Sequence, residues 1–556
     1  MEAVAVENLS FTYPDRRSKA LDNINLSIKS GELILLCGES GCGKTTLLRL
    51  LKKEISPHGS LTGTIRLNGI DIEEIPQRES VSQIGFVMQN PEQQIVTETV
   101  WRELAFGLES LSLDRKTIRR RTAETAAYFG IEKLYHCETA TLSGGEKQLV
   151  NLASVMAMNP NILILDEPTS QLDPIAAREF VGTVSRLNRE WGITVIISEH
   201  RTEELFGLAD RVVVMENGTV ICDGPPRKIG MSRCGTISRS FPVAVNLYRM
   251  LGGKAEERCP LSVRECRNLI NCNIRESNVS SVIEQHKMST DIAVELKNIS
   301  FRYTRSGSDI LNRTDLKIYS GEIYSVLGGN GAGKSTLLGV ISGLKKPYSG
   351  TVKILNKPIN KYNLNSLYVG TLALLPQNPQ ELFIKSSLKE DYDELKASIH
   401  LSDDDFAGRL GSLCSEFGIE KLLDFHPYDL SGGELQKAAL VKLLLLNPKI
   451  ILLDEPTKGM DGSSKYTLAK LLKNLKHRGV TVLLVTHDAE FAAVCSDRCG
   501  LLFDGEIVSE DNPQGFFAQN TYYTTSAAKI SKGIFENTVT LEQLYTVCKE
   551  NGVCNV

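Results

Sequence analysis

Gly38-Glu39-Ser40-Gly41-Cys42-Gly43-Lys44-Thr45 decides how this chain is read, and Gly328-Gly329-Asn330-Gly331-Ala332-Gly333-Lys334-Ser335 repeats it. Each octet follows an apolar run, residues 33–36 or 323–327, and opens a helical pattern, residues 45–51 or 335–341. Glycines at this spacing let successive backbone N–H groups turn inward around a phosphate, and the helix N-terminus behind them adds its dipole. Gly38, Gly41 and Gly43, with Gly328, Gly331 and Gly333, are the expected cradle. Lys44 and Lys334 would neutralise the β- and γ-phosphates, and Thr45 and Ser335 would ligate Mg2+. Thr46 and Thr336 belong to the same helical turn. A chance glycine turn does not account for two such loops in one strand–loop–helix context.

The duplication runs well beyond the loops. Tyr13 pairs with Tyr303 and Lys44 with Lys334 at an offset of 290 residues. Ser143 and Ser431, like Asp166 and Asp454, lie 288 apart, and His200 and His487 lie 287 apart. So small a drift means duplicated domains rather than scattered motifs. The expected boundaries are a first domain at 1–230, a linking segment at 231–290, a second domain at 291–520 and an appended segment at 521–556. Helical patterns are expected at 241–251, from Leu261 onward, and at 540–549.

Composition agrees with two soluble domains. The 556 residues exceed what one hydrophobic core accommodates. A net charge of −4 gives no basic bias towards nucleic acid. Residues 1–7 lack the basic and apolar regions of a signal peptide, and no apolar run reaches bilayer length. Thirteen cysteines without paired C-x-x-C spacing read as free thiols of a reducing compartment, Cys495 and Cys499 being one helical turn apart.

The remaining shared residues carry chemistry. Asp166 and Asp454 end apolar strands and suit Mg2+, directly or through water. Glu167 and Glu455 follow as general bases towards an attacking water. A mere helix cap before Pro168 or Pro456 does not account for their place at a strand end. His200 and His487 lie just past the next strands and are expected at the γ-phosphate. Tyr13 and Tyr303 are candidates to stack on adenine, the alternative being an aromatic packed in a sheet.

Ser143-Gly144-Gly145-Glu146 and Ser431-Gly432-Gly433-Glu434 read locally as helix N-termini: serine caps, and glycine admits an anion. Together with the phosphate loops they resemble the ATP-binding cassette (ABC) family over about four-fifths of the chain. That resemblance implies an α/β fold of two tandem P-loop nucleotide-binding domains, each with a RecA-like core and a helical signature subdomain. It also implies ATP and Mg2+ as cofactors and head-to-tail pairing. Ser431, Gly432 and Gly433 would then close the site built on Lys44, and Ser143, Gly144 and Gly145 the site built on Lys334.

The resemblance narrows. Val87-Met88-Gln89-Asn90-Pro91-Glu92-Gln93-Gln94, the run Glu98 to Gly107, Ser198-Glu199-His200-Arg201 and the tail Tyr522-Tyr523-Thr524-Thr525 look like the fused double ATPase of energy-coupling factor importers. Those take up vitamins, vitamin precursors or metal ions. Gln89 and Gln377 would sense the γ-phosphate and link each site to the membrane partner. Glu98 and Glu103, and Glu390, Asp391 and Asp393, either receive basic residues of that partner or form solvated acidic faces. The implied partners are an integral membrane scaffold and a substrate-binding membrane subunit. The implied location is peripheral, at the cytoplasmic face of the cell membrane, with no nucleic acid.

The second copy departs from this pattern at Leu382 to Ser387 and at Lys458-Gly459-Met460-Asp461. Cys42, inside the first loop, is expected to react with thiol reagents. A sugar-importer tandem ATPase typically has one degraded site, whereas both sites here keep every hydrolytic residue. A ribosome-acting tandem protein would need a long charge-rich helical linker. Residues 231–290 hold only nine Lys/Arg and five Asp/Glu.

Overall fold

The computed structural model describes residues 2–14, 18–232, 234–274, 289–399 and 402–553. It separates into two compact units, built mainly on residues up to Cys266 and from Arg267 onward.

In the first unit, β1 (Glu2–Thr12), β2 (Leu21–Lys29), β3 (Leu33–Gly38), β4 (Ser60–Leu67) and β5 (Ile70–Asp71) precede β6 (Ile84–Val87), β7 (Ile162–Asp166), β8 (Thr194–Ser198), β9 (Arg211–Glu216) and β10 (Thr219–Gly224). An antiparallel sheet runs β2-β1-β4-β5, and a six-stranded sheet runs β10-β9-β3-β8-β7-β6. The phosphate-loop strand β3 is central and parallel to both neighbours, with Leu35 level with Ile197 and with Val212. Every residue of β3, β7 and β8 is buried. That is why these strands are continuous apolar runs rather than alternating ones. Truncating one such side chain, Leu163 for example, would cost about 2–5 kcal/mol.

The second unit repeats the order. Its outer sheet joins β11 (Ile292–Phe301), β12 (Leu311–Tyr319), β14 (Ser349–Ile354) and β15 (Lys357–Pro358), and β13 (Ile323–Leu327) enters the other sheet with β16 (Leu372–Leu375), β17 (Ile450–Asp454), β18 (Thr481–Val485), β19 (Arg498–Phe503) and β20 (Glu506–Asp511). Cys499 lies in β19 while Cys495 ends the helix Ala489–Cys495, so the expected one-turn spacing of these cysteines is not realised.

Each unit adds a helical layer. Helices Val100–Ser110, Arg115–Phe129 and Gly144–Ala157 form it in the first, and Leu388–Glu394, Asp403–Phe417 and Gly432–Leu445 in the second. Helices Val243–Met250 and Val263–Asn273 lie in the linking segment, the latter spanning the division between units. Tyr248 is fully buried, and Arg227 donates to the Cys259 carbonyl. In the tail, helix Ser526–Ser531 adds Ala528 to a small core with Phe516, Phe517 and Val539, and helix Leu541–Glu550 follows with Leu544, Val547 and Cys548 buried. Among the described residues no helix is long and apolar enough to cross a membrane.

Candidate nucleotide sites

Both phosphate loops adopt the geometry their glycines allow. Gly43 has φ +102°, and a Cβ there would stand 2.7 Å from the Ala20 carbonyl oxygen. Gly333 repeats this with φ +98° and 2.9 Å to the Ile310 oxygen. Only glycine fits such a combination. Lys44 is buried at the mouth of its loop, and its Nζ donates to the Gly38 and Glu39 carbonyls at 2.8 and 3.0 Å. Lys334 does the same to Gly328 and Gly329 at 2.9 and 3.1 Å.

Beside each loop stands the predicted hydroxyl–carboxylate pair. Thr45 Oγ1 donates to Asp166 Oδ1 at 3.1 Å, and Ser198 Oγ donates to the same oxygen at 2.8 Å. Ser335 lies beside Asp454, whose carboxyl is pushed up to about 6 chiefly by burial. Asp454 Oδ1 is buried with no hydrogen-bond partner. An orphaned buried carboxylate oxygen beside a hydroxyl is a donor set that suits Mg2+.

The adjacent glutamates are held in place. Glu167 and Glu455 have φ +44° and +47°, the left-handed region, which costs a residue bearing a β-carbon roughly 1–2 kcal/mol. Their amides anchor the turn by donating to the Ser198 and Val485 carbonyls at 3.1 and 2.9 Å. His200 Nε2 lies 2.8 Å from Glu167 Oε1, Gln89 Nε2 donates to Glu167 Oε2 at 2.7 Å, and Lys44 Nζ is 4.0 Å away. Burial works to raise the Glu167 carboxyl, but the His200 hydrogen bond and charge, with Lys44, outweigh it and hold it below the usual range. At the second site His487 Nδ1 lies 2.8 Å from Glu455 Oε2 and Lys334 Nζ 3.5 Å from Oε1, with the same net lowering against burial. Both glutamates are therefore ionised acceptors at neutral pH. Gln377 makes no hydrogen bond to Glu455 among the described residues, so the structure brings Gln89 but not Gln377 to its glutamate.

The tyrosines stand just past the ends of β1 and β11. Tyr13 Oη and Thr46 Oγ1 are 3.1 Å apart, and Tyr303 Oη and Thr336 Oγ1 are 3.0 Å apart, so each ring is tied to the first turn of its phosphate-loop helix. Ser143 and Ser431 cap their helices in full capping boxes with Glu146 and Glu434. A Cβ on Gly144 would meet nothing closer than the Gln171 carbonyl at 3.9 Å, which leaves that helix start open to an anion.

Three expectations are corrected. Cys42 is buried and its thiol raised by that burial, so it is a poor thiolate rather than a reactive one. Glu103 is buried and accepts from the Val96 and Thr97 amides at 3.1 and 2.8 Å, so it fixes a loop and offers nothing to a partner. Asp391 is fully buried on the Lys385 amide and Lys442, and does the same in the second unit. Sequence reasoning also passed over Glu199, buried with its Oε1 on the Thr169 amide at 2.8 Å and raised to about 7 by burial. Thr486 stands at the matching place in the second copy. The signal was the glutamate itself, directly after an apolar strand.

Two phosphate loops on central parallel strands, each with a strand-end Asp-Glu pair, define a duplicated P-loop ATPase. The ABC transporter family model matches residues 21–170 and 311–458. The chain belongs to the ABC transporter ATP-binding family. It is 39% identical to a Bacillus anthracis protein assigned as an ABC transporter ATP-binding protein, over 98% of each chain. A Methanosarcina mazei protein of the same assignment is 35% identical over 91% of this chain and 88% of its own. Among solved structures, the archaeal ribosome recycling factor aABCE1 covers 92% of this chain and 91% of its own at 20% identity and TM-score 0.56, a likeness of fold. CbiO1 of Clostridium perfringens, from the CbiONQ transporter complex, is 33% identical over 41% of this chain and 90% of its own, with TM-score 0.38.

Proposed function

We propose that this ABC ATPase is the double ATP-binding subunit of an energy-coupling factor type importer for a vitamin, vitamin precursor or metal ion. It would work at the cytoplasmic face of the cell membrane, with a membrane-embedded scaffold and a substrate-binding membrane subunit. The observation that carries this reading is a continuous path in the first unit. Val96, Trp101 and Phe106 are 67, 37 and 45% exposed just after the glutamine-bearing loop at residues 87–94. Gln94 staples that loop to the Met88 amide and the Phe86 carbonyl, and Gln89 at its start bonds Glu167. An apolar partner seated there would act on the catalytic carboxylate through one side chain.

The phosphates would lie on the loop amides, with Lys44 and Lys334 leaving the loop carbonyls for the β- and γ-oxygens. Tyr13 and Tyr303 would carry the adenine. Mg2+ would be held by Thr45 with Asp166 and by Ser335 with Asp454, and when bound it supplies charge neutralisation on the phosphate oxygens. Once the glutamine or histidine yields an oxygen, Glu167 and Glu455 accept a proton from water in line with the γ-phosphate. His200 and His487 would then pass from the glutamate to the transferring phosphoryl group. Ser143 to Gly145 and Ser431 to Gly433 would complete the opposite sites head-to-tail.

The test is a pull-down of the Glu167→Gln, Glu455→Gln chain with ATP from detergent-solubilised source cells. Two small integral membrane proteins should co-purify and be lost in a Val96→Asp, Trp101→Ala version. Recovery of ribosomal proteins instead would overturn the importer reading.

A further inference from the structure

The two base platforms differ in one built feature. In the second unit Lys345 Nζ stands 4.3 Å from the centre of the Tyr303 ring and donates to its hydroxyl. The lysine is seated rather than loose. Its amide donates to the Gly339 carbonyl at 2.8 Å, and its stem crosses Gly339, where a Cβ would come within 3.0–3.2 Å of three of its carbons. The first unit has no such lysine against its tyrosine among the described residues. At the same 290-residue offset Ile55 replaces Lys345 and Arg49 replaces Gly339. Ile55 and Tyr13 both pack, partly buried, on the core of that unit. Among the described residues an ammonium group therefore stands against the Tyr303 ring and none stands against Tyr13.

We propose that Lys345 sets base selectivity at the second nucleotide site, making that site favour 6-oxopurine nucleotides, a preference the first site lacks. The proposal rests on the reading of Tyr303 as the base platform. Tyr303 is 62% exposed, so a base has access to its ring. A base that takes the face beneath the ammonium displaces it to the base's rim, where its stem on Gly339 keeps it in reach. An ammonium group donates hydrogen bonds and accepts none. Adenine presents N7 beside a 6-amino donor, whereas hypoxanthine and guanine present N7 beside the O6 acceptor, the pair to which lysine binds. The first platform, with no ammonium group against Tyr13 among the described residues, offers neither preference.

The experiment uses the full chain with one site disabled at a time. In Lys44→Ala only the second site binds, and in Lys334→Ala only the first. Displacement of a fluorescent ATP analogue by ATP and by inosine triphosphate gives a selectivity ratio for each. The ratio should favour inosine triphosphate by at least about fivefold more at the second site, as expected for one charge-assisted hydrogen bond. Lys345→Ile in Lys44→Ala should abolish the difference, and Lys345→Arg should keep it. Equal ratios at the two sites, or a difference that survives Lys345→Ile, overturn the proposal. Tyr303→Ala tests the underlying reading separately: if it weakens neither nucleotide, the platform itself is misassigned.

Discussion

Glu199→Gln isolates one buried charge beside the first site. An unfolded glutamate ionises near 4.5 and the folded Glu199 near 7, because burial disfavours its charged form. The folded chain therefore holds this proton more tightly than the unfolded chain. The stability it contributes is fully present below pH 4.5 and is lost as pH rises through 7. At about 1.4 kcal/mol per pH decade, that gap amounts to about 3 kcal/mol. Glutamine keeps an acceptor for the Thr169 amide but brings a buried NH2 group, which costs a roughly pH-independent 1–3 kcal/mol. The diagnostic is thus the slope and not the offset. Thermal unfolding of wild type and variant from pH 5 to 8 should show the variant gaining on the wild type by about 6–12 °C in the first unit's transition. Glu167 and His200, the neighbours that act on this carboxyl, are common to both chains. A melting difference that stays flat across this range would refute the reasoning.

Glu167→Gln with Glu455→Gln should bind ATP while phosphate release falls at least about 100-fold, and unchanged release would remove both glutamates from the chemistry. Gly43→Ala, with its Cβ driven against the Ala20 carbonyl, should lose ATP affinity by more than about tenfold at the first site while the circular dichroism spectrum is retained. Timed maleimide labelling read by mass spectrometry should modify exposed Cys272 well before buried Cys42; the reverse order would restore Cys42 as the reactive thiol. Lys442→Met leaves Asp391 buried without its cation and should destabilise the second unit by about 3 kcal/mol, read by denaturant unfolding.

What was legible followed from local chemistry. Residues 33–36 and 323–327 are continuous apolar runs because their strands are covered on both faces, and the glycine spacing after them needs no tertiary knowledge to interpret. Ser143 and Ser431 could be placed at helix starts because a capping box closes within four residues. What escaped depends on distant packing. Glu103 and Glu98 stand five residues apart and look alike, yet one is buried under its own loop and the other is exposed. Cys42 looked reactive from its place in a phosphate loop, but its sulfur faces Gly38, inside the strand–helix junction. Both sites keep every hydrolytic residue in the sequence, yet Gln377 and Thr486 do not repeat the contacts of Gln89 with Glu167 and of Glu199 with Thr169, and Lys345 stands on Tyr303.

The left-handed backbone at Glu167 and Glu455 sets folding against turnover. Asparagine and glycine occupy that conformation with less strain than glutamate, so replacing either glutamate with them relieves the turn while removing the base. Inactive cassettes would then be the sturdier ones. A library of this chain selected for soluble yield alone would drift towards losing both glutamates, and only a selection that demands phosphate release would keep them.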